Sequence, residues 1–264
     1  MTSGLRQFCT LFISDVHLGT RGCQAERLLE FLRWHEADLI YLVGDIVDGW
    51  ALRSGWYWPQ AQNDVVQKLL RKARKGARIV YVPGNHDEVL RDYYGTHFGG
   101  IEVVENAIHQ GVDGKRYLVT HGDQFDLVVR HARWLALAGD KAYDFAIAVN
   151  SVFNSVRRRL GFPYWSLSCW AKLKVKNAVN YIGDFERALA NEAKRKGADG
   201  VICGHIHHPA IDGHFGVRYL NCGDWVESCT AIAEHEDGRF EILTWTDAAL
   251  AVEPPEPPVL AAVA

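Results

Sequence analysis

Acidic, amide and imidazole side chains recur in this chain wherever a short apolar run ends. Asp15 and His17 close the first run, Asp45 and Asp48 the second, and Asn85, His86 and Asp87 the third. His121 and Asp123 close the fourth, His205 and His207 the fifth. Imidazole and carboxylate donors in one cluster suit Mn²⁺, Fe²⁺ or Zn²⁺ better than Ca²⁺. A carboxylate central to such a set can bridge two ions about 3.5–4 Å apart, the spacing of two-metal hydrolases. Any one of these residues alone would more often be a satisfied structural group. The ordered set of five is hard to explain by packing, because charged and polar groups are costly to gather without a metal or partners.

The runs themselves read as buried strands: 8–14, 39–44, 78–84, 117–120 and 200–204, with further strands over 218–222, 230–234 and 240–245. Between the early runs lie two amphipathic helical patterns, 25–36 and 61–75, the second stopped by Gly76. Strand and helix in alternation imply an α/β layered fold with partly parallel sheets. In open α/β sheets, sites form beyond the carboxyl ends of the strands, which is where these candidate ligands fall. Gly44, Gly84, Gly122 and Gly204 stand beside the ligands, where the backbone has to turn tightly.

The stretch from about 124 to 196 lacks strand signals and reads as a helical insertion into a single domain spanning 1–250. It is rich in aromatic and basic residues, among them Trp134, Tyr143, Trp165, Trp170, Arg157, Lys172, Lys174 and Lys176. One reading is an amphipathic lid with an apolar grip that rests on anionic headgroups. The other is a helical hairpin with solvated charges. Arg157, Lys172 and Lys176 are the candidates for holding an anionic group of a substrate. Arg53, Trp56 and Trp58 follow the second motif and either line a pocket or pack over the metal edge. The proline-bearing tail 251–264 reads as disordered.

With 48% hydrophobic and 23% charged residues, the composition is that of a globular protein. A net charge of −3 gives no reason to expect nucleic acid as a partner. Six Cys without a CxxC pair read as buried thiols in a reducing compartment. No signal peptide is legible at the N-terminus, and the expectation is a cytoplasmic protein. The oligomeric state is not legible.

The pattern resembles the calcineurin-like metallophosphoesterases: Asp-x-His, Gly-Asp-x-x-Asp, Gly-Asn-His-Asp, a lone His before Gly, then Gly-His-x-His, all in order from Asp15 to His207. That resemblance implies a β-sandwich flanked by helices and a hydrolase with two divalent ions, Mn²⁺ by expectation and Fe²⁺ or Zn²⁺ as alternatives. One ion would take Asp15, His17, Asp45 and His207. The other would take Asp45, Asn85, His121 and His205. His86 would meet the leaving-group oxygen and, with Asn85, the substrate, while Asp48 would orient His86. Asp123 and Asp224 would stand behind ligating His residues.

A narrower resemblance, from about residue 11 to 232, is to the UDP-2,3-diacylglucosamine diphosphatase group of lipid A biosynthesis. It rests on 44–50, 117–123, 204–210 and 221–225. It implies cleavage of the pyrophosphate of a UDP-linked diacyl sugar, a nucleotide-linked lipid, to UMP and a lipid phosphate, with room for peripheral contact with the inner membrane. The well-known members have Arg where this chain has His86. The alternatives are a metallophosphoesterase acting on a soluble nucleotide or phosphodiester, and a non-catalytic scaffold of the same fold.

Overall fold

The computed structural model describes residues 5–125 and 182–245. The chain divides into two compact units, Met1–Asp123 with Glu192–Ala264, and Gln124–Asn191. Of the second unit only 124–125 and 182–191 are described, and 182–195 is helical. Arg157, Lys172, Lys176, the insertion's aromatic residues and the tail 251–264 lie outside the described residues.

The first unit carries two sheets. The larger has the strand order β12-β11-β1-β2-β3-β5-β4. At its centre β1 (Arg6–Ile13), β2 (His35–Val43) and β3 (Arg78–Val82) pair in parallel. The strands β4 (His97–Phe98) and β5 (Ile101–Val103) extend one edge, and β11 (Thr230–Glu234) and β12 (Phe240–Thr244) the other. The smaller sheet runs β6-β7-β8-β10-β9, built from β6 (Ala107–Gln110), β7 (Arg116–Val119), β8 (Gly200–Cys203), β9 (Ala210–Asp212) and β10 (Arg218–Asn221).

Strand alternation decides which layer each side chain enters. Leu11 and Ile13, Ile40 and Leu42, Ile79 and Tyr81 face one core, with Leu28, Phe31 and Leu32 of α1 (Ala25–Trp34) and Val65 and Leu69 of α3 (Gln60–Arg74). Phe12, Tyr41, Val43, Val80 and Val82 face the other, against Tyr117, Val119, Ile202 and Leu220 of the second sheet. The large sheet is therefore buried on both sides, which explains why its strands read as unbroken apolar runs. The expected sandwich with flanking helices is what forms.

Several boundaries differ from the sequence reading. Helix α1 stops at Trp34 and β2 begins at the next residue, His35, so the strand starts four residues earlier than expected. His35 Nδ1 lies 2.7 Å from the Phe31 carbonyl and its ring stacks on Phe31, which seals the junction without a loop. The short strands β4, β5, β6 and β9, and the one-turn helix α2 (Gly49–Ser54), have no sequence signal long enough to register.

Candidate metal centre

Three parallel strands of the large sheet and two of the small sheet end on the same edge, and each hands the chain to a ligand-bearing loop. Backbone bonds stitch these loops together beyond the strands. Asp15 N–H donates to the Gly44 carbonyl at 3.0 Å, His17 N–H to Asp45 at 2.9 Å, and Gly204 N–H to His121 at 3.2 Å. The loops thus continue the sheet register for a few residues, which fixes the heights of Asp15, His17 and Asp45 relative to one another.

Five of the seven expected ligands adopt left-handed backbone: Asp15 (φ 51°), His17 (53°), Asp45 (53°), His205 (72°) and His207 (53°). Such a conformation costs a residue with a side chain about 1–2 kcal/mol. Outliers of this kind gather at functional sites when the surroundings over-determine them. Close approach also explains two glycines. A Cβ on Gly84 would collide with Asp45 Oδ1 and the His121 ring, and one on Gly204 with Asp15 Oδ2 and Ser14.

The side chains converge in three overlapping groups whose ligand atoms lie within 4.8 Å of one another: Asp15, His17 and His207; His17, Asp45 and His86; Asp45, His121 and His205. Asp45 belongs to two of them, and its position between the groups is that of a shared carboxylate. Its Oδ2 lies 3.3 Å from His121 Nε2, while its Oδ1 accepts the His86 N–H at 2.8 Å. Asp15 Oδ1 lies 3.2 Å from His207 Nε2, and Asp15 Oδ2 accepts the His205 N–H at 2.9 Å.

Two imidazoles have their tautomer set from behind. His121 Nδ1 lies 2.9 Å from the Val43 carbonyl, so Nδ1 carries the hydrogen and Nε2 faces the cluster. His17 Nδ1 lies 3.1 Å from Asp48 Oδ2, with the same result. Asp15 Oδ1, His17 Nε2, Asn85 Oδ1 and His121 Nε2 are all buried without a hydrogen-bond partner. Buried polar atoms of this kind are rare in folded proteins. Four of them on four expected ligands, with oxygen and imidazole donors together, fit a pair of divalent ions.

The electrostatics agree. Burial raises the Asp45 carboxyl, but the His121 and His86 groups outweigh it and hold Asp45 well below the ordinary carboxylate range. Asp15 is likewise buried yet lowered, by His207 and His121. Burial pulls His121 down, but Asp45 and then Asp15 and Asp123 raise it to about 10. In the absence of metal, an imidazolium takes over the charge balance of these carboxylates.

The remaining expected residues fall as follows. Asp48 caps α2 through Ala51 N–H at 2.7 Å, and its Oδ2 lies 2.9 Å from His86 Nδ1, out of line for a hydrogen bond. Asp123 and Asp224 make their hydrogen bonds elsewhere than on a ligating His, while the Asp123 charge helps raise His121 and the Asp224 charge helps raise His207. The Asp123 carboxylate accepts from Arg91 at 2.7 Å, and Asp224 accepts from the Val226, Glu227 and Ser228 N–H groups of its own turn. Trp58 packs against the core, whereas Trp56 and Arg53 are exposed.

Sequence reasoning missed what ties the loops together. The buried Asp87 carboxylate accepts from Gly84 N–H at 2.5 Å, from Ile46 N–H at 2.8 Å and from the Tyr81 hydroxyl. It locks the Asp45 loop to the Asn85 loop. Burial raises its pKa. The signal available was its place in the Gly-Asn-His-Asp run; its partners are fixed only by the tertiary fold.

This chain belongs to the calcineurin-like phosphoesterase family, whose model matches residues 10–209, and it is a metal-dependent phosphoesterase. Over most of its length it is similar to UDP-2,3-diacylglucosamine hydrolases. With that of Xanthomonas campestris pv. campestris (strain B100) it shares 26% identity over 253 residues, covering 87% of this chain and 96% of the relative. With that of Shewanella halifaxensis (strain HAW-EB4) the identity is 23% over 252 residues, covering 89% and 97%. Among solved structures it is similar to Yfce, a phosphoesterase from E. coli, at 16% identity and a TM-score of 0.42, covering 90% of this chain and 99% of that one.

Proposed function

We propose that this hydrolase cleaves the pyrophosphate of a UDP-linked, doubly acylated glucosamine or a close analogue, giving UMP and a lipid phosphate. The observation that carries this is the span of the likeness: relatives named UDP-2,3-diacylglucosamine hydrolases align over 87–89% of the chain and 96–97% of their own length. Substrate of this kind is met at a membrane, so the reading puts the protein in the cytoplasm with peripheral contact at the inner membrane. Among the described residues no helix is long and apolar enough to cross a bilayer.

Asp15, His17, Asp45 and His207 would hold one ion, and Asp45, Asn85, His121 and His205 the other. Bound there, the two ions, Mn²⁺ in this reading, would supply Lewis acidity toward the phosphoryl oxygens. The chain's own residues do the rest. His86 meets the oxygen of the departing group and shares or donates a proton there, which general acid catalysis rewards with about 10²–10⁴ in rate. Asp48 Oδ2, 2.9 Å from His86 Nδ1, sets the side of the ring that faces away from the leaving group. The Nδ1–H bonds of His17 and His121 keep their Nε2 lone pairs on the cluster.

A second reading is a soluble nucleotide or phosphodiester as substrate. It is favoured by His86, since the better-known diacylglucosamine diphosphatases carry Arg at that place. Incubation of the Mn²⁺-loaded protein with the UDP-linked diacyl sugar, followed as UMP release, separates the two. UMP release supports the lipid substrate. Turnover of a chromogenic phosphodiester without UMP release transfers the assignment to the soluble class.

A further inference from the structure

His86 is held by more than Asp48. The Gly49 N–H donates to the His86 carbonyl at 2.9 Å, and a Cβ on Gly49 would come within 3.0 Å of that oxygen. The Trp50 ring lies 4.3 Å from the His86 ring, tilted by 40°, while the His17 ring meets it edge-on at 4.7 Å. Trp50 Nε1–H in turn donates to Glu88 Oε1 at 3.2 Å, two residues beyond His86. The tripeptide Asp48-Gly49-Trp50 therefore grips His86 by backbone, ring nitrogen and ring face together.

Trp50 has no part in the core: it is 44% exposed on a one-turn helix with no buried residue. An indole left that open is ordinarily free to swing. Here both its ring and its N–H are engaged, and both engagements are with the His86 loop. The imidazole needs such a wall. Rotation about a terminal sp³–sp² torsion is broad, and the Asp48 contact is close but out of line. Ring stacking adds an orientation that a single off-line ion pair does not impose.

We propose that Trp50, tethered by Glu88, is a positioning residue for His86, holding the imidazole with Nδ1 on Asp48 and the other ring nitrogen turned away from it. The proposal rests on the reading of His86 as the group that meets the leaving oxygen. Trp50 acts through His86, so removing it matters only while His86 is present.

The test is a double-mutant cycle on the Mn²⁺-loaded full chain with a chromogenic phosphodiester. Trp50→Leu lowers kcat roughly ten- to a hundredfold, the scale of a small misplacement of a catalytic group, with KM and bound metal unchanged. Trp50→Phe, which keeps a ring face, recovers most of that rate. In a His86→Ala background Trp50→Leu has no further effect. An equal loss in both backgrounds, or a loss confined to KM, overturns the proposal. Should the wild type turn over neither a phosphodiester nor the UDP-linked diacyl sugar, the functional reading fails separately, and NMR of the metal-free protein still decides the positioning. The His86 Cε1–H resonance is single and shifted by the indole ring current in the wild type, and moves and broadens in Trp50→Leu. An unchanged resonance overturns it.

Discussion

Asp48 Oδ2 lies 2.9 Å from His86 Nδ1, and the same oxygen lies 3.1 Å from His17 Nδ1. One carboxylate oxygen thus serves an expected ligand and the expected proton donor together. Burial raises the Asp48 carboxyl, but the Ala51 N–H and the two imidazoles outweigh it and keep it low. Asp48→Asn retains the helix cap, since Asn caps as well as Asp, while removing the charge. Activity is expected to fall about 10–100-fold, the usual cost of losing the partner of a ligating or catalytic His. The melting temperature stays close to that of the wild type. A fully active Asn variant, assayed at saturating Mn²⁺, would show that the orientation of His86 does not depend on this charge.

Asp45 touches two parts of the centre at once: His121 through Oδ2 and the His86 backbone through Oδ1. Asp45→Ala is expected to lose both ions and all activity. Metal analysis by mass spectrometry after gel filtration checks it. Retention of one ion per chain would mean that Asp45 belongs to a single site.

Gly84 has no room for a side chain beside Asp45 and His121. Gly84→Ala must push one of them aside, at about 1–3 kcal/mol if overpacking elsewhere is a guide. Thermal unfolding of the metal-free variant and its Mn²⁺ affinity should both fall. An unaltered affinity would contradict the close approach.

The metal-free protein should respond to alkali through His121. Its folded pKa is raised to about 10, against about 6.5 for a free imidazole. The folded state then binds the extra proton, so this group's stabilisation is complete below pH 6.5 and drains away as pH rises toward 10. A ligating imidazole must be neutral, so Mn²⁺ binding at pH 8 should expel the proton. Metal titration in weakly buffered solution with a pH indicator measures it. Binding without proton release would mean that His121 is already neutral.

The ligands were legible because each sits where an apolar run meets Gly, Asp or His, a local signal. The partners of those ligands were not. Asp87 reads as one more acidic motif residue until the fold brings Tyr81 and the Ile46 N–H to it. Asp123 reads as support for His121, yet its hydrogen bond goes to Arg91, thirty-two positions away, and only its charge reaches the imidazole. The central strands were plain because burial on both faces makes them uniformly apolar. The two-residue β4 and the direct passage from Trp34 to His35 were hidden, because pairing at an edge and a stacked junction leave no periodicity.

The left-handed turns at Asp15, His17, Asp45, His205 and His207 mean that the coordination chemistry is written in main-chain handedness as well as in side-chain identity. Transplanting these five donors onto ordinary extended backbone would send them alternately to the two faces of the sheet instead of at a common centre. Asn would tolerate the twist at these places but forfeit the charge or the imidazole, and Ala would supply neither. Evolutionary drift here is therefore penalised twice, once for the donor atom and once for the bend that aims it.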